Sequence, residues 1–320
     1  MSLSGNGVAP VARRVRAYFA PVERATGTPT IFDPAQNGGF PLDTPQAPWI
    51  DLGWCANFRR SNTTGGATGI SALLTGTPAL ATAQVRTEIE AMVELEFACW
   101  GKLQMALASG SQQMNLLQTA ADATANGSGG AAIGASPLLA GSTATVLQVG
   151  TAASEFSSGD LIVVDVDYTG QTGFVGTGVS GAYVRSSADV HGDVNYIRRV
   201  SLNVARVEQV QDGALRLSSP LLAGAPQDGM RICRLLGFVD REGGSFFQEW
   251  SGLFVFPGEQ GDRVIYHYPR LQTMKGAAES KEVLTAPLER IHLAAGFRAL
   301  PIPDANDGER VLCFRSYLPA

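Results

Sequence analysis

Gln84-Val85-Arg86-Thr87-Glu88-Ile89-Glu90-Ala91-Met92-Val93-Glu94-Leu95-Glu96-Phe97 alternates almost without a break. Val85, Ile89, Ala91, Val93, Leu95 and Phe97 fall on one face, and Gln84, Arg86, Glu88, Glu90, Glu94 and Glu96 on the other. A period of two is the mark of a half-buried strand. At roughly 3.3 Å per residue the stretch predicts a single strand about 45 Å long. Like charges facing one another across neighbouring strands cost roughly 0.2–1 kcal/mol each, so the glutamate face is expected to stay in water. Two uses of such a face stand open. It is one side of an ordinary sheet in bulk solvent, its charges discouraging edge-to-edge pairing. Or it is repeated by symmetry around a closed ring and lines an aqueous channel, where it repels a polyanion passing within a Debye length of roughly 8 Å.

Working outward, Glu289 to Ala299 has the same period, with Ile291, Leu293, Ala295, Phe297 and Ala299 opposite Arg290, His292, Ala294, Gly296 and Arg298. If it pairs with the acidic strand in register, its cations neutralise part of the glutamate row. Arg14 to Phe19 also alternates, and Gly27 to Pro48, rich in Pro, Gly, Asp and Thr, reads as a long loop or arm. Trp49 to Phe58 opens another strand, followed by a Gly/Thr loop from Asn62 to Gly69. After Phe97, Trp100, Leu103 and Leu107 share a helical face, and Gly110 sits where a left-handed helix stop belongs. Thr119 to Ser142 is dominated by Ala, Gly, Ser and Thr, the composition of a flexible connector.

From Thr145 short β segments resume: 145–149, 160–166, 182–185, 200–210 and 214–217, with Asp212-Gly213 as a two-residue hairpin turn. Further strands are expected at 246–256 and 263–268, then a tight turn at 304–308 and a last strand at 310–317. The fold class is therefore mainly β, a sandwich or barrel with one short α-helix and a small inserted all-β domain. The expected divisions are a first core part over 1–118, a linker over 119–144, the insertion over 145–237 and a second core part over 238–320.

Composition narrows the function. Hydrophobic residues make up 45% of the 320, enough for a real core, while charged residues are only 17%, leaving a neutral surface suited to subunit contact. A net charge of −5 argues against an adhesive nucleic-acid binder, which carries a basic stripe. Of the 24 basic residues only Lys102, Lys275 and Lys281 are lysine. Arginine suits interface ion pairs, and genome base composition accounts for the skew equally well. Cys55, Cys99, Cys233 and Cys313 are widely spaced, without a CxxC pair. Neither a secretory leader nor an 18-residue apolar stretch is found, so no membrane partner is expected.

Chemistry is sparse. Gly176, Gly178 and Gly181 match a dinucleotide string but lack the helix that must follow it. Asp165 and Asp167 fit alternating strand exposure as well as metal ligation. Asp304, Asn306, Asp307 and Gly308 have the wrong spacing for a calcium loop. His191, His267 and His292 stand outside any zinc pattern. Neither cofactor nor metal is expected, and the chain is read as a non-enzyme. A β-rich carbohydrate-active enzyme drawing acids from Glu88, Glu94, Asp165 and Asp167 is the remote alternative, because glycosidic chemistry needs two carboxyls about 5 to 9.5 Å apart across a cleft, not a row on one strand.

The order of elements resembles that of bacteriophage tail tube proteins. The resemblance rests on the acidic strand running into Phe97-Ala98-Cys99-Trp100-Gly101-Lys102-Leu103, the early long loop, the Trp49-Ile50-Asp51-Leu52-Gly53 opening, Gly296-Phe297-Arg298-Ala299-Leu300 and the Asp304 to Tyr317 end. It covers 10–118 and 238–320. It implies hexameric rings stacked into a tail tube in a virion, assembled in a host bacterial cytoplasm, through which the genome passes without specific binding. Tape-measure, tail terminator and distal tail proteins would be the partners besides further copies. Arg86, Glu88, Glu90, Glu94 and Glu96 would line the channel. The long loop, with Asp33, Asn37, Phe40, Asp43 and Trp49, would contact the adjacent ring. The insertion would project outward, which suits a non-contractile tail. Another virion component, a distal tail or decoration protein, is the alternative within the same class.

Overall fold

The computed structural model describes residues 14–63, 70–75, 80–86, 89–121, 130–166, 172–174, 193–242, 248–274, 278–285 and 288–320. In chain order the first elements are β1 (Val15–Pro21), α1 (Pro34–Asn37), β2 (Ile50–Thr63), β3 (Ile70–Thr75), β4 (Leu80–Arg86), β5 (Glu90–Phe97) and α2 (Lys102–Ser109). The inserted part supplies β6 (Gln112–Leu117), β7 (Gly130–Ala132), β8 (Ala135–Pro137), β9 (Val146–Gln148), β10 (Leu161–Asp165), β11 (Thr172–Phe174), β12 (Val204–Gln211), β13 (Ala214–Leu217) and β14 (Arg231–Arg241). The chain ends with β15 (Glu249–Pro257), β16 (Arg263–Thr273), β17 (Ala278–Thr285), β18 (Leu288–Ala299), β19 (Ile302–Pro303), β20 (Arg310–Val311) and β21 (Phe314–Leu318).

The core is mainly β, as expected, and takes the barrel form. β18-β5-β2-β1-β15-β16 run antiparallel, and β16 returns to β18 through Leu271–Ala299, Gln272–Arg298 and Thr273–Phe297, closing six strands on themselves. Alternation decides what fills it: Ala91, Val93, Leu95 and Phe97 of β5 point inward with Phe19, Trp250, Phe254, Tyr268 and Phe297. Burying each large apolar side chain is worth roughly 1.5–3 kcal/mol, so this interior is the main source of stability. The barrel is packed solid with side chains and has no bore of its own.

The single long strand of the sequence reading is two strands. Among the described residues β4 pairs only with β3, whereas β5 pairs with β2 and β18. The break falls at Ile89, which lies outside any strand and, though expected on the apolar face, is 46% exposed; the last described pair of β2 and β5 is Thr63–Glu90. Period-two patterning gives facing, not partnership, and so ran across the break.

β2 carries a bulge between Ala56 and Arg59, with Asn57 at φ 51, and Gly53 upstream at φ +83. A Cβ at Gly53 would stand 3.0 Å from Cys99 Sγ. Gly53→Ala is expected to destabilise the protein by about 1–2 kcal/mol, the usual left-handed penalty for a non-glycine residue. Thermal melts of the two proteins measure it.

Residues 22–49 form a packed cover, not a free arm. Phe32 and Trp49 are buried with Tyr18, Leu253, Val255 and Ile265 on the barrel's outer wall, and Phe40 and Leu42 pack against them. Tyr18 Oη donates to the Leu42 carbonyl at 2.7 Å, and Arg263 Nη1 donates to the Gly38 and Phe40 carbonyls at 2.9 and 2.7 Å.

α2 buries Leu103, Ala106, Leu107 and Ala108 and stops at Gly110 with φ 66, as its spacing predicts. Trp100 is a correction: it precedes the helix, is 51% exposed, and stands 6.2 Å from the Phe238 ring. Extrapolating the i, i+3, i+7 pattern backwards past Gly101 placed it wrongly, because Gly101 is extended.

The insertion is a seven-stranded sheet, β6-β14-β10-β12-β13-β9 with β8 also on β14. Both faces of β10 are covered: Ile162 and Val164 join one apolar cluster, and Val163 joins another. The sheet takes in β6, upstream of the expected boundary, and β8, inside the expected linker; Leu138 N and Leu139 N also donate to the Met230 and Gln148 carbonyls. Part of the small-residue stretch is thus strand, which composition alone does not distinguish from a connector. Asp212 and Gly213 form the expected turn, with φ 50 and 76. Residues 198–202 form a π-helical turn, so the expected strand at 200 begins at Val204. The expected strand at 182–185 lies outside the described residues.

Candidate functional site

The outward face of β5 carries Glu90, Met92, Glu94 and Glu96, all half-buried. The neighbouring strands supply the opposite charge. Glu90 Oε1 pairs with Arg298 Nη2 at 2.5 Å, and the register sets Arg59 directly beside Glu94. Glu96 Oε2 accepts from Asn57 Nδ2 at 2.6 Å. Three glutamates thus face two arginines, so the patch is mixed, not uniformly acidic. Arg298 is about half exposed, and such a pair contributes about 0–1 kcal/mol, fixing side-chain positions more than adding stability.

Of the residues expected to share this face, the structure brings Glu90, Glu94 and Glu96 together. Arg86 is set apart on β4, in register with Ile70, and Glu88 lies outside the described residues. Among the cations, Arg298 reaches the glutamates, while Arg290 and His292 lie farther along β18, in register with Glu282 and Ser280 of β17.

The loop residues divide as well. Asp33 caps α1, accepting from Ala35 N at 2.8 Å and Gln36 N at 3.4 Å. Asn37 is half-buried at the end of that turn, Asp43 is exposed, and Phe40 and Trp49 face the chain's own barrel. The loop therefore offers an adjacent copy fewer free side chains than its sequence suggests.

Two hairpins leave the barrel instead. In chain order the β3–β4 hairpin is joined to β2 and β5 at their Thr63 and Glu90 ends. β17 and β18 run on beyond the Leu293–Phe97 pair, which lies at the other end of β5. The two hairpins are thus attached at opposite ends of β5. The signal for the first was present in the sequence: Ser61 to Val85 contains no charged residue, and Gly76-Thr77-Pro78 is a turn signal in composition between two apolar runs. Ile89 lies at one end of β5, and Ile291 beyond the other, both exposed.

His267 lies under the loop, between Phe32, Trp49 and Phe314, which stacks on it at 5.9 Å. Its Nε2 meets the Thr30 carbonyl at 3.3 Å, and its buried Nδ1 has no partner. Burial pushes its pKa down to about 4, partly offset by the Thr30 bond. The unfolded chain takes up a proton near 6.5. Stability is therefore full above pH 6.5 and is lost as pH falls toward 4, by up to about 3 kcal/mol. Urea melts at pH 7 and 4.5 are expected to show that loss, and His267→Gln to reduce it.

Asp165, considered as an acid or metal ligand, is buried in the insertion and held by Arg198 Nε and Nη2 at 3.1 and 3.0 Å. Glu94 belongs to the other sheet; Asp167, His191 and the glycines at 176, 178 and 181 lie outside the described residues. Asp304 accepts from Asn306 N at 2.8 Å and from Asn306 Nδ2 at 3.0 Å, which closes a turn. Among the described residues no group of three or more His, Cys, Asp and Glu could hold a metal ion, and no helix is long and apolar enough to cross a membrane. No family model matches the chain, and no curated protein matches it.

Proposed function

We propose that the chain is a structural subunit of a bacteriophage tail tube, assembling with further copies into stacked hexameric rings around a channel for DNA. The observation that carries this reading is the closed barrel, its interior filled with side chains, with one hairpin attached at each end of β5. A subunit that offers different surfaces at its two ends forms head-to-tail contacts, and these repeat into filaments. Ring stacking then falls to the β3–β4 hairpin and the β17–β18 hairpin, with the 22–49 loop stiffening the barrel wall.

Glu90, Glu94 and Glu96 face the channel in this reading. Their pairing with Arg298 and proximity to Arg59 make a weakly charged wall, which neither holds nor strongly repels a passing polyanion. The insertion projects away from the channel, and tape-measure, terminator and distal tail proteins meet the tube at its ends. The virion tail is its place of action.

Electron microscopy of the purified protein at rising concentration tests the reading: rings or rods are expected. A monodisperse monomer by analytical ultracentrifugation under every condition would overturn it. Reversing Glu94 and Glu96 to lysine is expected to leave the fold intact, since both side chains reach the surface, and to slow DNA release from assembled particles. Release rates equal to those of the parent would remove the charge argument.

A further inference from the structure

The seam between barrel and insertion is polar. Lys102 opens α2, and its Nζ donates to Asn115 Oδ1 on β6 at 3.0 Å and to the Val200 carbonyl of the π-helical turn. Asn115 is almost wholly buried, and its Nδ2 makes only a long contact, 3.4 Å, to the Arg199 carbonyl. No carboxylate pairs with this amine among the described residues. Asp240 is engaged by Ser109 and Ser111, Asp193 by Arg199, and Asp165 by Arg198. Burial pushes the Lys102 amine down to about 7, so near neutral pH much of it carries a free lone pair. A neutral amine held against a buried carboxamide is a nucleophile beside its electrophile.

We propose that Lys102 and Asn115 join in an intramolecular isopeptide bond. The Nζ lone pair attacks Asn115 Cγ, the Cγ–Nδ2 bond breaks, one proton passes from Nζ to Nδ2, and ammonia leaves. Nothing is oxidised or reduced, and no co-reactant enters. Asn115 Oδ1 remains as the oxygen of the new amide, and its N–H keeps the bond to the Val200 carbonyl. Nδ2 gives up only its long contact to Arg199. Nζ stands 3.0 Å from Oδ1, the oxygen bonded to the Cγ it attacks; holding nucleophile and electrophile together is what makes intramolecular reactions fast, and the reaction need happen only once per chain.

The bond would tie the first turn of α2 to β6, where the chain leaves the barrel. A pull on the insertion would then pass through the cross-link and spare residues 103–114 from unravelling.

The intact mass of the purified full-length protein decides the proposal. It is expected to fall below the sequence mass by about 17 Da, that of one ammonia, with peptide mapping yielding a branched species that joins Lys102 to Asn115. Asn115→Ala is expected to show no such deficit. A full sequence mass with linear peptides overturns the proposal. So does a deficit that maps to a succinimide at Asn6-Gly7, Asn37-Gly38 or Asn126-Gly127, or one that persists in Asn115→Ala.

Discussion

Replacing residues 70–86 with a short glycine-serine turn is expected to abolish assembly into rods while leaving the barrel folded. Among the described residues, β3 and β4 pair with each other and with no strand of the barrel. An isolated two-stranded hairpin is marginal in water, and this one has no charge between Ser61 and Val85 to keep it soluble alone. In the tube reading its missing cover is a second copy. Loss of the hairpin removes one side of each head-to-tail contact, so filament growth stops at rings or monomers. Circular dichroism melts separate loss of assembly from loss of fold, and negative-stain images count the rods. Rods of normal length from a well-folded deletion protein would reassign the stacking contact to another surface.

Phe254→Ala is expected to destabilise the barrel by about 3–5 kcal/mol. Phe254 is fully buried on β15, its ring 5.9 Å from Phe19, 5.1 Å from Phe58 and 6.0 Å from Tyr268. Its removal leaves a void that the closed strands cannot collapse to fill. Against a typical total of about 5–15 kcal/mol, this is a large fraction of the folding free energy. Urea titration monitored by tryptophan fluorescence gives the value. A loss below about 1 kcal/mol would mean that the barrel interior is not closely packed.

Much of this architecture was legible in the chain because its causes are local. The inward set of β5, Ala91 to Phe97, follows from alternation alone. Asp212-Gly213 supplies two positive φ angles in a row, and Gly110 supplies one at the end of α2. What was not legible depends on residues far apart in sequence. Closure of the barrel needs Leu271 to Thr273 to meet Phe297 to Ala299, and no periodicity encodes that register. The break before Glu90 appears only once β4 is seen to pair with β3, and β5 with β2 and β18. Gly27 to Pro48 was read as a long loop or arm, and its Pro, Gly and Asp content did not tell which; the ring contacts of Phe32, Phe40 and Trp49 anchor it as a packed loop. Neutralisation of the acidic face depended on whether Glu289 to Ala299 pairs with it, which alternation leaves open; β18 does pair with β5, and Arg298 reaches Glu90.

Gln112 and Arg241 stand opposite each other at the base of the inserted sheet. Paired strand residues lie about 4.5–5.5 Å apart at Cα, so the polypeptide departs and comes home through a single doorway. The doorway is not a clean hinge, however: beyond it Tyr196, Ile197, Val200 and Leu202 fold back into the apolar cluster of the six strands, so cutting the insertion away would strip lining from the scaffold it grows out of.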